Sequence, residues 1–147
     1  MNDERLEHFL LFEMEDDWMS LGEFDYYIRS ISPDEYSRGM ILEVISRLAA
    51  VGYLRFGGWS VESGTWKPWD VSNDVAMERI AHGYLGEPGA LSSTDGELSL
   101  TEVFRADITA AGIVRVAELG DPYEIYGNPW WSDPSKQGSG NYPPWNP

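Results

Sequence analysis

Groups able to do covalent chemistry are scarce in this chain of 147 residues: there is no cysteine, and the two histidines, His8 and His82, fall on separate predicted helices. A thiolate nucleophile, a disulfide and a cysteine zinc site are therefore excluded, and neither histidine has a second nitrogen ligand near it in sequence. No H-E-x-x-H, G-x-S-x-G, Walker loop, dinucleotide fingerprint or calcium-loop spacing occurs. Carboxylates are plentiful, 25 against 10 basic side chains, for a formal charge of -15. Two of them beside an aromatic cleft would suit glycoside hydrolysis, which keeps a small hydrolase as a third reading. With so many acids such a pair is expected by chance, so the sequence favours a chain that is not an enzyme and needs no cofactor or metal.

Binding chemistry is better supplied. Met1 to Glu35 holds eleven acids opposed only by Arg5 and Arg29, and Glu13, Glu15, Asp16 and Asp17 crowd the end of the first predicted helix, where acids oppose the macrodipole. Tryptophan is the other unusual supply: Trp59, Trp66 and Trp69 in the middle of the chain, Trp130, Trp131 and Trp145 near its end. Large amphipathic rings anchor protein interfaces, while surrounding charge sets orientation and on-rate. These four acids and six rings predict a surface for a basic protein partner, as in an immunity or antitoxin-type protein. Phosphate and anionic lipid would be repelled. Trp66-Lys67-Pro68-Trp69 and Asn128-Pro129-Trp130-Trp131 can also fold back over the domain's own apolar surface, so at least one or two of the six rings are expected to stay accessible.

The elements that must hold these groups read as α+β. Asn2 caps a first helix with Leu6, Phe9, Leu10 and Met14 in one stripe. Ser20-Leu21-Gly22-Glu23 is a capping box for a second, carrying Phe24, Tyr27, Ile28 and Ile31. Ser32-Pro33-Asp34-Glu35 repeats the device and opens a third, whose Tyr36, Met40, Ile41, Val44, Ile45 and Leu48 form a broad apolar face ending before Gly52. Tyr53-Leu54-Arg55-Phe56 is a short strand, and Phe104, Ala106 and Ile108 alternate with Arg105 and Asp107 in another that could pair with it. Thr109 caps a last helix, Ala110 to Leu119, with Ile113, Val116 and Ala117 inward. Between the strands, insertion 57–102 contains a helix from Ser72 to Gly86 and an Asp95-Gly96 turn. Residues 1–120 thus form one domain, and 121–147 an irregular Pro, Trp and Tyr tail, part docked and part mobile, ending in Tyr142-Pro143-Pro144-Trp145.

This order resembles a winged helix-turn-helix domain: three helices, a two- or three-stranded wing and a C-terminal helix, here with a long wing insertion. Leu42-Glu43-Val44-Ile45-Ser46-Arg47-Leu48-Ala49-Ala50-Val51-Gly52-Tyr53-Leu54 is similar to a third helix running through glycine into the wing. Phe104-Arg105-Ala106-Asp107-Ile108-Thr109-Ala110-Ala111-Gly112 is similar to the strand and "(L/I)-T-x-x-G" that begin the last helix. Asp16-Asp17-Trp18-Met19-Ser20-Leu21-Gly22-Glu23 resembles the start of small actinobacterial winged-helix proteins. The resemblance implies an alternative, a DNA-binding transcriptional regulator that sets its third helix in the major groove and uses Arg38, Arg47, Arg55 and Lys67. Charge disfavours it: residues 33–50 carry a net -1, and the insertion adds only Lys67 and Arg79. A homodimer is compatible with the sequence but would double the negative field.

No apolar run approaches the roughly 20 residues that span a bilayer, and Met1-Asn2-Asp3-Glu4 lacks the basic start of a signal peptide. Together with the missing cysteine this predicts a cytoplasmic protein without membrane contact.

Overall fold

The expected stripe of the first helix is buried without exception: Leu6, Phe9, Leu10 and Met14, joined by His8 and Leu11, face inward from α1 (Glu4–Asp16). The structure is a computed structural model that describes residues 4–127 and 129. Asn2, the expected cap of this helix, lies outside them.

Met19 and Ser20 form a two-residue strand, β1, before α2 (Leu21–Ile31). The Ser20 capping box is complete, with the Glu23 amide donating to the Ser20 hydroxyl and the Ser20 amide to the Glu23 carboxylate. The second box does not act as expected. α3 spans Arg38–Ala50 and is capped by Ser37, whose hydroxyl accepts from the Met40 amide. Ser32 instead terminates α2, its amide donating to the Ile28 carbonyl at 2.8 Å, and residues 33–35 turn the chain. The Glu35 amide that a Ser32 cap would have used donates instead to the Ser32 carbonyl at 3.2 Å.

After Gly52 the chain enters β2 (Leu54–Ser60), turns at 61–64 and returns as β3 (Thr65–Pro68). The insertion therefore begins with a hairpin, where the sequence suggested only a short strand through Phe56. Gly57 resembles punctuation but sits inside β2 for a packing reason: a Cβ there would lie 2.4 Å from the Lys67 carbonyl oxygen and from the Trp66 ring. Ser72 caps α4 (Asn73–His82), which stops at Gly83 in a positive-φ conformation, φ 107°, well before Gly86. Asp95-Gly96 is the first turn of a short helix, α5 (Asp95–Leu98), boxed by Thr94 and Glu97.

β4 (Arg105–Ile108) pairs antiparallel with β2 as expected, Leu54 opposite Ile108 and Phe56 opposite Ala106, and also with β1, giving a four-stranded antiparallel sheet in the order β1-β4-β2-β3. The register sends Leu54, Phe56, Ala106, Ile108 and Met19 toward the helices and Arg55, Asp107, Arg105 and Trp59 to the other face. Phe24 of α2 and Phe104 stack at 6.0 Å in the core between them. Among the described residues no helix is long and apolar enough to cross a membrane.

α6 (Ala110–Leu119) is capped by Thr109 as expected, but its burial differs. Gly112 and Val116 are the buried residues, whereas Ile113 is 46% and Val114 57% exposed, and Ala117 also faces solvent. Gly112 sets the contact: a Cβ would meet the Tyr53 carbonyl oxygen at 2.5 Å, so the helix leans on its first turn and leaves the next face open. The start of the supposed tail is helical. Asp121 caps α7 (Pro122–Tyr126), and Tyr123 packs edge-on against Phe9 of α1 at 5.2 Å, which ties this segment to the domain.

Candidate binding surfaces

The four basic residues expected to meet DNA are placed separately, and two of them, Arg38 and Arg55, are bound to acids of the fold. Arg38, first residue of α3, points across to the insertion: its guanidinium donates to the Ala90 carbonyl at 2.7 Å, the Ser93 carbonyl at 2.9 Å and Asp95 at 2.7 Å. Arg55 is paired with Asp107 at 2.8 Å and lies over the Trp66 ring, 4.8 Å from its centroid. Lys67 is exposed on β3. The fourth, Arg47, lines a groove between α3 and α4, beside Leu42, Ser46 and Ala50. The opposite wall of this groove is α4, which contributes Met77 and Ala81 and two carboxylates, Asp74 and Glu78; Glu43 stands on the α3 side. The outward face of α3 is thus an apolar channel with three acids and one base on its rim.

A second network fixes α2 to the connection that precedes α3. Asp25, nearly buried, accepts from Arg29 Nε at 3.0 Å and from the Tyr36 hydroxyl, and Arg29 stacks over the Tyr36 ring at 4.1 Å. Burial raises the Tyr36 hydroxyl above its ordinary pKa, and the hydrogen bond to Asp25 adds to the shift. The Asp25 charge is thus answered within the fold, while Arg29 covers it from the surface.

The tryptophans divide between the two faces of the sheet. Trp59 and Trp66 are cross-strand partners on the outward face, and Trp18, beside β1, joins them, stacked on Trp66 at 6.3 Å and tilted to Trp59 at 5.6 Å. Trp66 donates its indole N–H to the Arg105 carbonyl at 3.1 Å, and Arg105 spreads over Trp59. Trp66 is the covered member of the set; Trp59 is 36% exposed. Glu102 holds Arg105 through both oxygens, and this bond, with Glu23 and Asp17 farther off, keeps the guanidinium more firmly protonated than usual. Sequence reasoning passed over Trp18; its place just before Met19, outward where Met19 is inward, was the available signal.

Trp69 goes elsewhere, half-buried against Phe104 at 6.4 Å and edge-on to Tyr84 at 5.6 Å. Together with Trp59 and Tyr84 it lines a cleft of about 490 Å³ between the hairpin and the 84–87 turn. Glu62, Glu87, Glu102 and Lys67 are the charged lining. Glu87 accepts the Glu102 amide at 2.8 Å, so two of these three carboxylates already have partners. Of the cleft's non-aromatic lining, the sequence singled out Lys67, and for a different role.

The predicted acidic rim is partly internal. Glu13 accepts the Tyr123 hydroxyl and so serves the docking of α7, while Glu15, Asp16 and Asp17 stay exposed, Asp17 accepting the Trp18 amide at 2.8 Å. Asp17 therefore stands next to the Trp18, Trp59 and Trp66 group. Trp130, Trp131 and Trp145, with the Tyr142 to Trp145 segment, lie outside the described residues. Among the described residues no group of three or more His, Asp or Glu side chains could hold a metal ion.

Comparison of the chain with family models, with curated proteins and with solved structures returned no match.

Proposed function

We propose that this chain is a non-enzymatic, acidic protein-binding module on a winged-helix-type scaffold, of the immunity or antitoxin kind, whose partner is a basic protein. The scaffold reading is supported by the succession of β1 between the first two helices, a hairpin directly after α3 and a helix after the last strand. The functional reading rests on one observation: α4 lies along α3 and sets Asp74 and Glu78 beside Glu43, so the face a DNA reader would press into the groove carries three acids against Arg47. That rim favours cations and opposes phosphate. Arg38 and Arg55, each already paired, weigh against the regulator alternative. The hydrolase alternative has a cleft with carboxylates and tryptophan, but Glu102 is tied to Arg105 and Glu87 to a backbone amide, which supports structural roles for both.

The test is capture from the native lysate on the immobilised chain, alongside Glu43→Lys/Asp74→Lys/Glu78→Lys. A basic protein retained at low salt, released by added salt and lost on charge reversal supports the reading. Retention of no basic protein, retention indifferent to the reversals, or tight sequence-selective duplex binding overturns it.

A further inference from the structure

We propose that the wing cleft receives a single arginine side chain of a cationic partner, a proposal that deepens the protein-binding reading and rests on it for the identity of that partner. The cleft, about 490 Å³, falls within the size range of small-ligand sites. Its lining combines the three features that an arginine needs. Rings come from Trp59, Trp69 and Tyr84. Apolar surface for the methylene stem comes from Val61 and Leu85, which are 88% and 84% exposed, an unusual amount of aliphatic side chain to leave in water around one depression. Negative charge for the head group comes from Glu62 and from Glu87, which keeps one carboxylate oxygen beyond its bond to the Glu102 amide; Glu102 is neutralised by Arg105, and Lys67 is the cation of the lining.

The protein already binds this chemistry to the same rings. Its own Arg79 places the guanidinium 3.9 Å from the Tyr84 ring centroid and 5.0 Å from that of Trp69. Arg29, Arg55 and Arg105 repeat the motif over Tyr36, Trp66 and Trp59. An aromatic wall backed by carboxylate selects a planar guanidinium over the compact, strongly hydrated ammonium of lysine. Charge complementarity thus picks one occupant for a surface that is otherwise aromatic and aliphatic.

The experiment titrates the isotope-labelled full chain with N-acetyl-arginine amide, a single cation that minimises general attraction to a polyanion, and follows the indole N–H signals by NMR. Saturable shifts at Trp59 and Trp69 are expected, with weaker binding of N-acetyl-lysine amide and none of N-acetyl-norleucine amide. Glu62→Lys and Leu85→Gly should each weaken binding about threefold or more, the size of one partly screened charge or one apolar contact. Both positions are exposed, and glycine suits the positive φ of Leu85, so neither variant threatens the fold. Glu43→Lys, in the α3–α4 groove, should bind as the parent does. Unsaturable shifts, equal affinity for lysine amide, or unchanged affinity in both cleft variants overturns the proposal. The two readings separate cleanly: arginine amide bound in the cleft with no basic protein captured refutes the partner, whereas a basic protein captured undiminished by both cleft variants refutes the cleft.

Discussion

Arg38 of α3 and Asp95 of α5 meet at 2.7 Å although 57 residues separate them. With the bonds to the Ala90 and Ser93 carbonyls, this contact clamps the far end of the insertion to the start of the third helix. Arg38→Ala should therefore act on stability. Leaving two carbonyls without their charged donor costs roughly 2 kcal/mol or more, while the largely exposed Asp95 adds little. Urea unfolding should show a lower midpoint, partly restored in Arg38→Lys, which keeps a donor but not the fork. An unchanged midpoint would mean that the side chain is free for an external ligand.

Gly57 and Trp66 make a second prediction. Gly57→Ala forces a methyl group into the space held by the Trp66 ring and the Lys67 carbonyl, and neither can retreat without opening the hairpin. Overpacking of this kind costs roughly 1–3 kcal/mol. The indole of Trp66 should lose its bond to the Arg105 carbonyl, detectable as faster exchange of that N–H together with a lower thermal midpoint.

Legibility followed the range of the forces involved. Helix caps and apolar stripes depend on residues three or four apart, and Ser20, Ser72 and Thr109 cap as their neighbours dictate. The β2 to β4 pairing was readable because both strands alternate cleanly. What was hidden depends on distant contacts. Nothing near Arg38 announces Asp95, nothing near Glu13 announces Tyr123, and the exposure of Ile113 follows from Gly112 resting on Tyr53. The cleft was invisible for the same reason: Leu85 and Val61 come from two turns more than twenty residues apart, and a leucine at φ 51° breaks the local rule that would have flagged a glycine.

Alkaline pH should unfold the protein sooner than its carboxylate content suggests. Burial raises the Tyr27 hydroxyl well beyond the ordinary tyrosine value near 10, aided by the negative charges of Glu13 and Glu23, and Tyr36 is raised too. In the unfolded chain both lose their protons first, so above about pH 10 the unfolded state binds fewer protons and stability falls as pH rises. The contribution is complete below that pH and is lost on passing upward through the folded-state values. Urea midpoints at pH 9 and pH 11 should diverge, and Tyr27→Phe should shrink the difference. An equal drop in the variant would remove Tyr27 as the cause.

His8 holds the junction between α6 and α7. Buried to 1% exposure, it donates from Nε2 to the Gly120 carbonyl at 2.7 Å and sets its ring edge-on to Tyr126 at 5.5 Å, while Nδ1 is buried without a partner. Gly120 ends α6 and Asp121 begins α7, so this one bond fixes the turn between them. His8→Leu keeps the apolar volume but strands the Gly120 carbonyl, at a cost of roughly 1–3 kcal/mol. The loss should be local as well as global: amides of residues 123–127 should exchange faster than those of α3, because the packing of Tyr123 and Tyr126 against Phe9 of α1 is what remains to hold α7. If exchange rises evenly across the chain, His8 acts on the whole core, and α7 is docked by its tyrosines alone.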